Sequence, residues 1–182
     1  MNNFYFLNLN IPLFKEGITI NDLPTNYLVV IDKEKIINEK IFDFFKSLNL
    51  KINFVESFFK SPDTPGTIHT DALGGDYTKL NWVFGGGESQ MTWYKPKSNL
   101  NKKVSFSPTG TRFLRFAESE VEETDRTPII YPTLIQVGVP HNVVNVTENR
   151  HCISFVFRHQ DNRTLTMQES VEIFKDYIIG SE

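Results

Sequence analysis

The residues best placed to do chemistry begin at Ile68-His69-Thr70-Asp71. In an extended segment, residues two apart point the same way, so His69 and Asp71 can offer an imidazole nitrogen and a carboxylate oxygen to one point. Another histidine, His141, lies far along the chain in the β-forming stretch Gly138-Val139-Pro140-His141-Asn142-Val143-Val144. If the strands fold back, it supplies a third ligand. Two imidazoles and one carboxylate on one face of a metal ion leave three coordination positions open. Each residue also has an ordinary reading: a surface loop after Pro65-Gly66 for His69 and Asp71, and a strand histidine bonded to a carbonyl for His141. Arg150 follows His141 by nine residues and starts a strand. Period-2 alternation puts Arg150, Cys152 and Ser154 on one face. A guanidinium on an inner face is costly unless an anion pairs with it, and a dicarboxylate held bidentately would be such an anion. The ordinary reading of Arg150 is a hairpin arginine after Thr147-Glu148-Asn149.

The elements that must position these groups are mostly strands. Residues 4–9, 27–31 and 52–59 have strand composition. Asp32 is in place to cap a helix over residues 33–48, whose Ile37, Ile41, Phe44, Phe45 and Leu48 recur at helical steps. Residues 61–66 read as a turn. Strands are then expected at 77–84, 91–94, 134–139, 142–146 and 152–158, with a weaker one at 112–116. Residues 85–90 form a turn and residues 99–103 a polar loop. The acidic stretch 118–125 reads as an exposed loop or turn. Residues 167–179 carry Val171, Phe174, Tyr177 and Ile178 at helical spacing. In the strand at 77–84, Tyr77, Lys79, Asn81 and Val83 share one face, and Thr78, Leu80, Trp82 and Phe84 the other, more apolar one. Trp82 and Trp93 read first as core, while Tyr77, Trp93 and Tyr94 are candidates to line a cleft.

Composition narrows the function. The chain has 182 residues, 40% apolar and 23% charged. A chain of this length buries roughly 70% of its unfolded surface, so one domain over residues 1–182 is expected. Net charge is −3. With no basic run to neutralise phosphates, nucleic acid is disfavoured as a partner. One cysteine, Cys152, excludes an intramolecular disulfide and a cysteine-based zinc cluster. Only four histidines exist, and His151 and His159 have no spacing partner. The first residues lack a signal-peptide pattern and no run is long enough to span a membrane, so a cytoplasmic protein is expected.

The order His69-x-Asp71, a distal His141 and Arg150 on the next strand resembles the Fe(II)- and 2-oxoglutarate-dependent oxygenases, in particular their small members. The resemblance covers about half the chain. It implies an α+β, mainly β fold with a double-stranded β-helix (jelly-roll) core at 67–158. Supporting strands and a helix would occupy 1–66, and a C-terminal helix 167–179. It further implies that His69, Asp71 and His141 hold Fe(II) and that Arg150 binds the distal carboxylate of 2-oxoglutarate. Asn81 and Ser154 would be further cosubstrate contacts. The family often has Arg-x-Ser; here the serine comes two residues later, at Ser154, and Arg158 on the same strand face is an alternative to Arg150. The implied activity is O2-dependent hydroxylation of an unactivated C–H bond, with release of succinate and CO2. A free amino acid, another small molecule, or a peptide or protein side chain is compatible as substrate, and no oligomeric state is selected. The alternatives are a cupin-like metalloenzyme that does not use 2-oxoglutarate, and a non-catalytic jelly-roll binding module.

Overall fold

The computed structural model describes residues 2–62, 64–97 and 103–180. Asp63 of the expected turn and residues 99–102 of the expected polar loop lie outside the described residues. The chain is mainly β. Its strands are β1 (Phe4–Phe6), β2 (Leu28–Ile31), β3 (Leu50–Lys60), β4 (Ile68–Thr70), β5 (Thr78–Gly85), β6 (Gln90–Pro96), β7 (Lys103–Phe106), β8 (Arg112–Phe116), β9 (Val121–Thr127), β10 (Thr133–Gln136), β11 (His141–Val144) and β12 (Arg150–His159). Among the described residues three α-helices accompany them: α1 (Lys33–Ile36), α2 (Glu39–Ser47) and α3 (Met167–Phe174). Two six-stranded sheets form, in the orders β1-β10-β5-β12-β3-β2 and β7-β8-β4-β11-β6-β9. All strand pairings are antiparallel. From β3 to β6, and again from β9 to β12, successive strands alternate between the sheets.

Alternation along the strands divides the first sheet into two chemistries. Its outer face packs on the helices. Phe45 of α2 stacks on Phe155 at 5.9 Å, and Phe174 of α3 meets Phe157 at 5.7 Å. Leu80 and Trp82 point into the same core, as their parity requires. The inner face meets the second sheet, where Ile135 and Val137 pack with Met91 and Trp93. Trp93 is fully buried, stacks on Phe4 and donates its Nε1–H to the Gln136 carbonyl at 3.0 Å. It is therefore core and not cleft lining. Tyr94 faces a separate hollow beside Glu118 and Arg126.

Several elements differ from expectation, for physical reasons. The single helix over 33–48 is two helices. Ile37 is extended and pairs with Phe14, the Asn38 amide donates to the Leu13 carbonyl, and the Asn38 side chain then caps α2 by accepting from Lys40. Asp32 occupies the cap position of α1, but its side chain makes no capping bond and instead pairs with Lys35. The acidic stretch 118–125 is a 3-10 turn at Glu118–Glu120 followed by β9, which pairs with β6. Charge there suits a sheet edge, which must not recruit another strand. The last helix stops at Phe174, a 3-10 turn follows, and Ile178 pairs with Leu7. No helix among the described residues is long and apolar enough to cross a membrane.

Candidate metal centre

The centre is built by strand register. On the second sheet His69 of β4 stands directly opposite His141 of β11. Directly opposed residues share a face, and the two imidazole rings lie 4.6 Å apart. Asp71 follows β4, and its amide donates to the Val137 carbonyl at 2.8 Å, which ties this segment to the chain leading to His141. Gly138 sits at the crossing: a Cβ there would lie 1.5 Å from the Gly75 carbonyl oxygen, so only glycine lets the two segments touch.

Hydrogen bonds orient both rings. His69 Nδ1 lies 2.7 Å from the Thr67 carbonyl, and His141 Nδ1 lies 2.9 Å from the Val139 carbonyl. A carbonyl can only accept, so Nδ1 carries a proton in both rings, and Nε2 is the atom of each neutral imidazole left to ligate. Both Nε2 atoms face Asp71 Oδ1, at 3.5 Å from His69 and 3.6 Å from His141. The three donor atoms lie within 4.8 Å of one another and could hold a metal ion.

The charges around the triad favour the ligating forms. Burial pushes the Asp71 carboxyl up, but the Lys79 ammonium and both histidines outweigh it and hold it far below the usual carboxylate range. Lys79 Nζ lies 2.5 Å from Asp71 Oδ2 and 2.7 Å from Glu56 Oε2, both buried or nearly so. Burial lowers the Lys79 ammonium, yet these carboxylates raise it overall, so it stays charged. Burial, with His69 nearby, pushes His141 down to about 4, which keeps its imidazole neutral near pH 7. In the metal-free protein the unfolded chain therefore takes up a proton at His141, below about pH 6.5, that the folded chain refuses until about pH 4. Stability falls with pH across that window, by about 2 kcal/mol between pH 7 and 4.5. Urea unfolding at both pH values should show this loss, and His141→Gln should remove most of it.

A second polar group lies on the inner face of the first sheet. Arg150, 5% exposed, Cys152 and Ser154 share the inner face of β12. Arg150 makes no ion pair among the described residues, and its Nε has no hydrogen-bond partner. Its register neighbour on β3 is another cation, Lys60, which reaches across to the Val143 carbonyl at 2.8 Å. Asn81 and Ser154 are cross-strand partners, and Asn81 Oδ1 and Ser154 Oγ are also buried without partners. Arg158 sits at the opposite end of the strand, where its Nη1 donates to the Asn162 carbonyl at 3.3 Å. His151 packs on Phe59 and His159 contacts Asp161 and Asn49, so neither joins the triad.

Two of the triad residues, His69 and Asp71, open onto a cavity of about 670 Å³, whose lining does not include His141, Arg150, Asn81 or Ser154. His69, Asp71 and Lys79 line it with Tyr77, Phe58 and Phe113. Sequence reasoning missed Lys79, Glu56 and Lys60 as parts of this site. The parity of Lys79 with Asn81 was the one available signal for the first. Neither a protein-family model nor a curated protein matches this chain.

Proposed function

We propose that the protein is an Fe(II)- and 2-oxoglutarate-dependent dioxygenase that hydroxylates an unactivated C–H bond. The observation that carries this reading is the convergence of two imidazole Nε2 atoms and one carboxylate oxygen on a single point beside the cavity. Two nitrogens and one oxygen, with room on the remaining side, are a donor set suited to iron with exchangeable ligands. The group of buried, partnerless polar atoms on the inner face is the second support. Arg150 Nε, Ser154 Oγ and Asn81 Oδ1 lack partners in a place where such groups are normally satisfied, which fits a polar, anionic cosubstrate. The alternation of strands between sheets is also what a double-stranded β-helix core requires.

In this reading His69, Asp71 and His141 hold the metal, and the Thr67 and Val139 carbonyls keep both imidazoles in the ligating tautomer. Lys79 holds the second Asp71 oxygen, leaving Oδ1 for the metal. Arg150, with Lys60 beside it, receives the distal carboxylate of 2-oxoglutarate. Bound iron, 2-oxoglutarate and O2 supply the oxidising chemistry, giving succinate, CO2 and a hydroxylated product. The aromatic lining keeps water from the site until substrate enters.

Anaerobic titration with Fe(II) and 2-oxoglutarate tests the proposal. A weak visible metal-to-ligand charge-transfer band is expected with both present, and neither His69→Ala nor Asp71→Ala should give it. A band of wild-type strength in these variants would mean that the iron binds elsewhere. Iron binding without any response to 2-oxoglutarate would favour a metalloenzyme of another kind.

A further inference from the structure

The register that pairs the ligand histidines continues outward along the second sheet. Lys103 of β7 stands opposite Arg115 of β8, and Arg115 stands opposite His69 of β4. Directly opposed residues share a face, so Lys103, Arg115, His69 and His141 form one row from the sheet edge to the metal centre. Phe113, two residues before Arg115, shares that face and sets its ring edge-on to His69 at 5.8 Å. Arg115 lines the cavity, as does Arg158. Arg158 Nε is buried without a partner. Neither arginine, nor Lys103, has an acidic partner among the described residues.

The two carboxylates in the cavity wall, Asp71 and Glu56, are both taken by Lys79. One ammonium between two carboxylates leaves one negative charge, and the two arginines of the wall exceed it by one, so the lining is net positive and a bound divalent metal would add to it. A cleft with low-dielectric walls and one sign of free charge concentrates ligands of the opposite sign. Most of the rest of the wall is apolar or aromatic, with Phe54, Phe58, Tyr77, Phe113, and Phe106 at the exposed rim, and threonine and serine hydroxyls stand among them.

We infer that the substrate is an organic anion: an apolar, ring-sized body packs among these aromatic side chains, and a carboxylate or phosphate is held by Arg115 beside His69, with Arg158 as the second cation. This rests on the dioxygenase reading only for what happens to the ligand; the binding preference follows from the wall itself. Arginine suits the role because its planar fork meets either anion bidentately.

Calorimetry on the anaerobic Fe(II)–2-oxoglutarate complex, and in parallel on the metal-free protein, tests it with matched probes. The probes are 3-phenylpropanoate, 2-phenylethyl phosphate, 3-phenylpropanamide and 3-phenylpropylamine. At least one anion should bind ten-fold or more tighter than the amide, and the amine most weakly; the tighter anion identifies the preferred headgroup. Arg115→Gln should bring that anion to the amide's affinity while leaving the amide's affinity and the melting temperature unchanged. Equal affinities for acid, phosphate and amide, tightest binding by the amine, or no binding of any probe would overturn the inference. So would an anion preference untouched by both Arg115→Gln and Arg158→Gln. A charge-transfer band without anion preference sinks this inference alone, and anion preference without the band sinks the dioxygenase reading alone.

Discussion

Lys79→Met is expected to destabilise the metal-free protein by about 3–5 kcal/mol, far more than a typical charged-to-apolar exchange at a surface. The wild-type ammonium contacts Asp71 and Glu56 at 2.5 and 2.7 Å in a buried setting. Removing it leaves two carboxylates in low dielectric with no cation between them, and each must be desolvated bare or take up a proton. Two secondary outcomes make the assignment specific. Adding Glu56→Gln to Lys79→Met should recover part of the loss, since one of the stranded charges disappears. Fe(II) should recover another part, because a metal at Oδ1 supplies Asp71 with a cation again. Urea denaturation with and without the metal reads all three. A loss below about 1 kcal/mol would place Lys79 among ordinary solvated ion pairs.

Arg150→Met should move stability and binding in opposite directions. In the free protein the Arg150 guanidinium is buried beside Lys60 and Cys152 with no anion among the described residues to neutralise it, and burial lowers its pKa. An apolar side chain of similar length relieves that cost, so the cofactor-free variant should unfold at higher denaturant than wild type. If Arg150 receives the distal carboxylate, the same change should weaken 2-oxoglutarate binding by about 2–5 kcal/mol while Fe(II) affinity stays within a few-fold. Retained cosubstrate binding would shift the role to Arg158, at the other end of the strand. A variant that is less stable and also binds normally would remove Arg150 from the site altogether.

What could be read from the chain depended on whether a signal was local. His69 and Asp71 are two residues apart, and Arg150, Cys152 and Ser154 alternate within one strand, so period-2 reasoning alone put each set on one face. The meeting of His141 with His69 is a long-range pairing that no local pattern encodes; the residues allow it only on the condition that the strands fold back, and the family resemblance implies it. Alternation puts Lys79 on the face of Asn81, but its partners Asp71 and Glu56 come from two other segments, so no local pattern reveals its role. The break at Ile37-Asn38 arises because residues 13–15 pair with residues 36–38, an interaction that outweighs helical periodicity. Asn38 carried a capping signal of its own, hidden because Asp32 offered an equally good start six residues earlier. The acidic stretch that became β9 shows the same override: composition argued for a loop, while the free edge of β6 supplied a strand partner.

The direct opposition of His69 and His141 has a consequence for how the chain reaches its fold. A slip of one residue between β4 and β11 would bring Pro140 or Asn142 opposite His69 and turn the second imidazole away. A bound ion would thus reward one alignment and no neighbouring one. It would also tie together two strands separated by much of the chain, the kind of contact whose late closure makes β-rich proteins slow to fold. Such an ion would act as a removable cross-link and a proofreader of strand alignment, and a chelator added during refolding would strip away that check before any substrate is met.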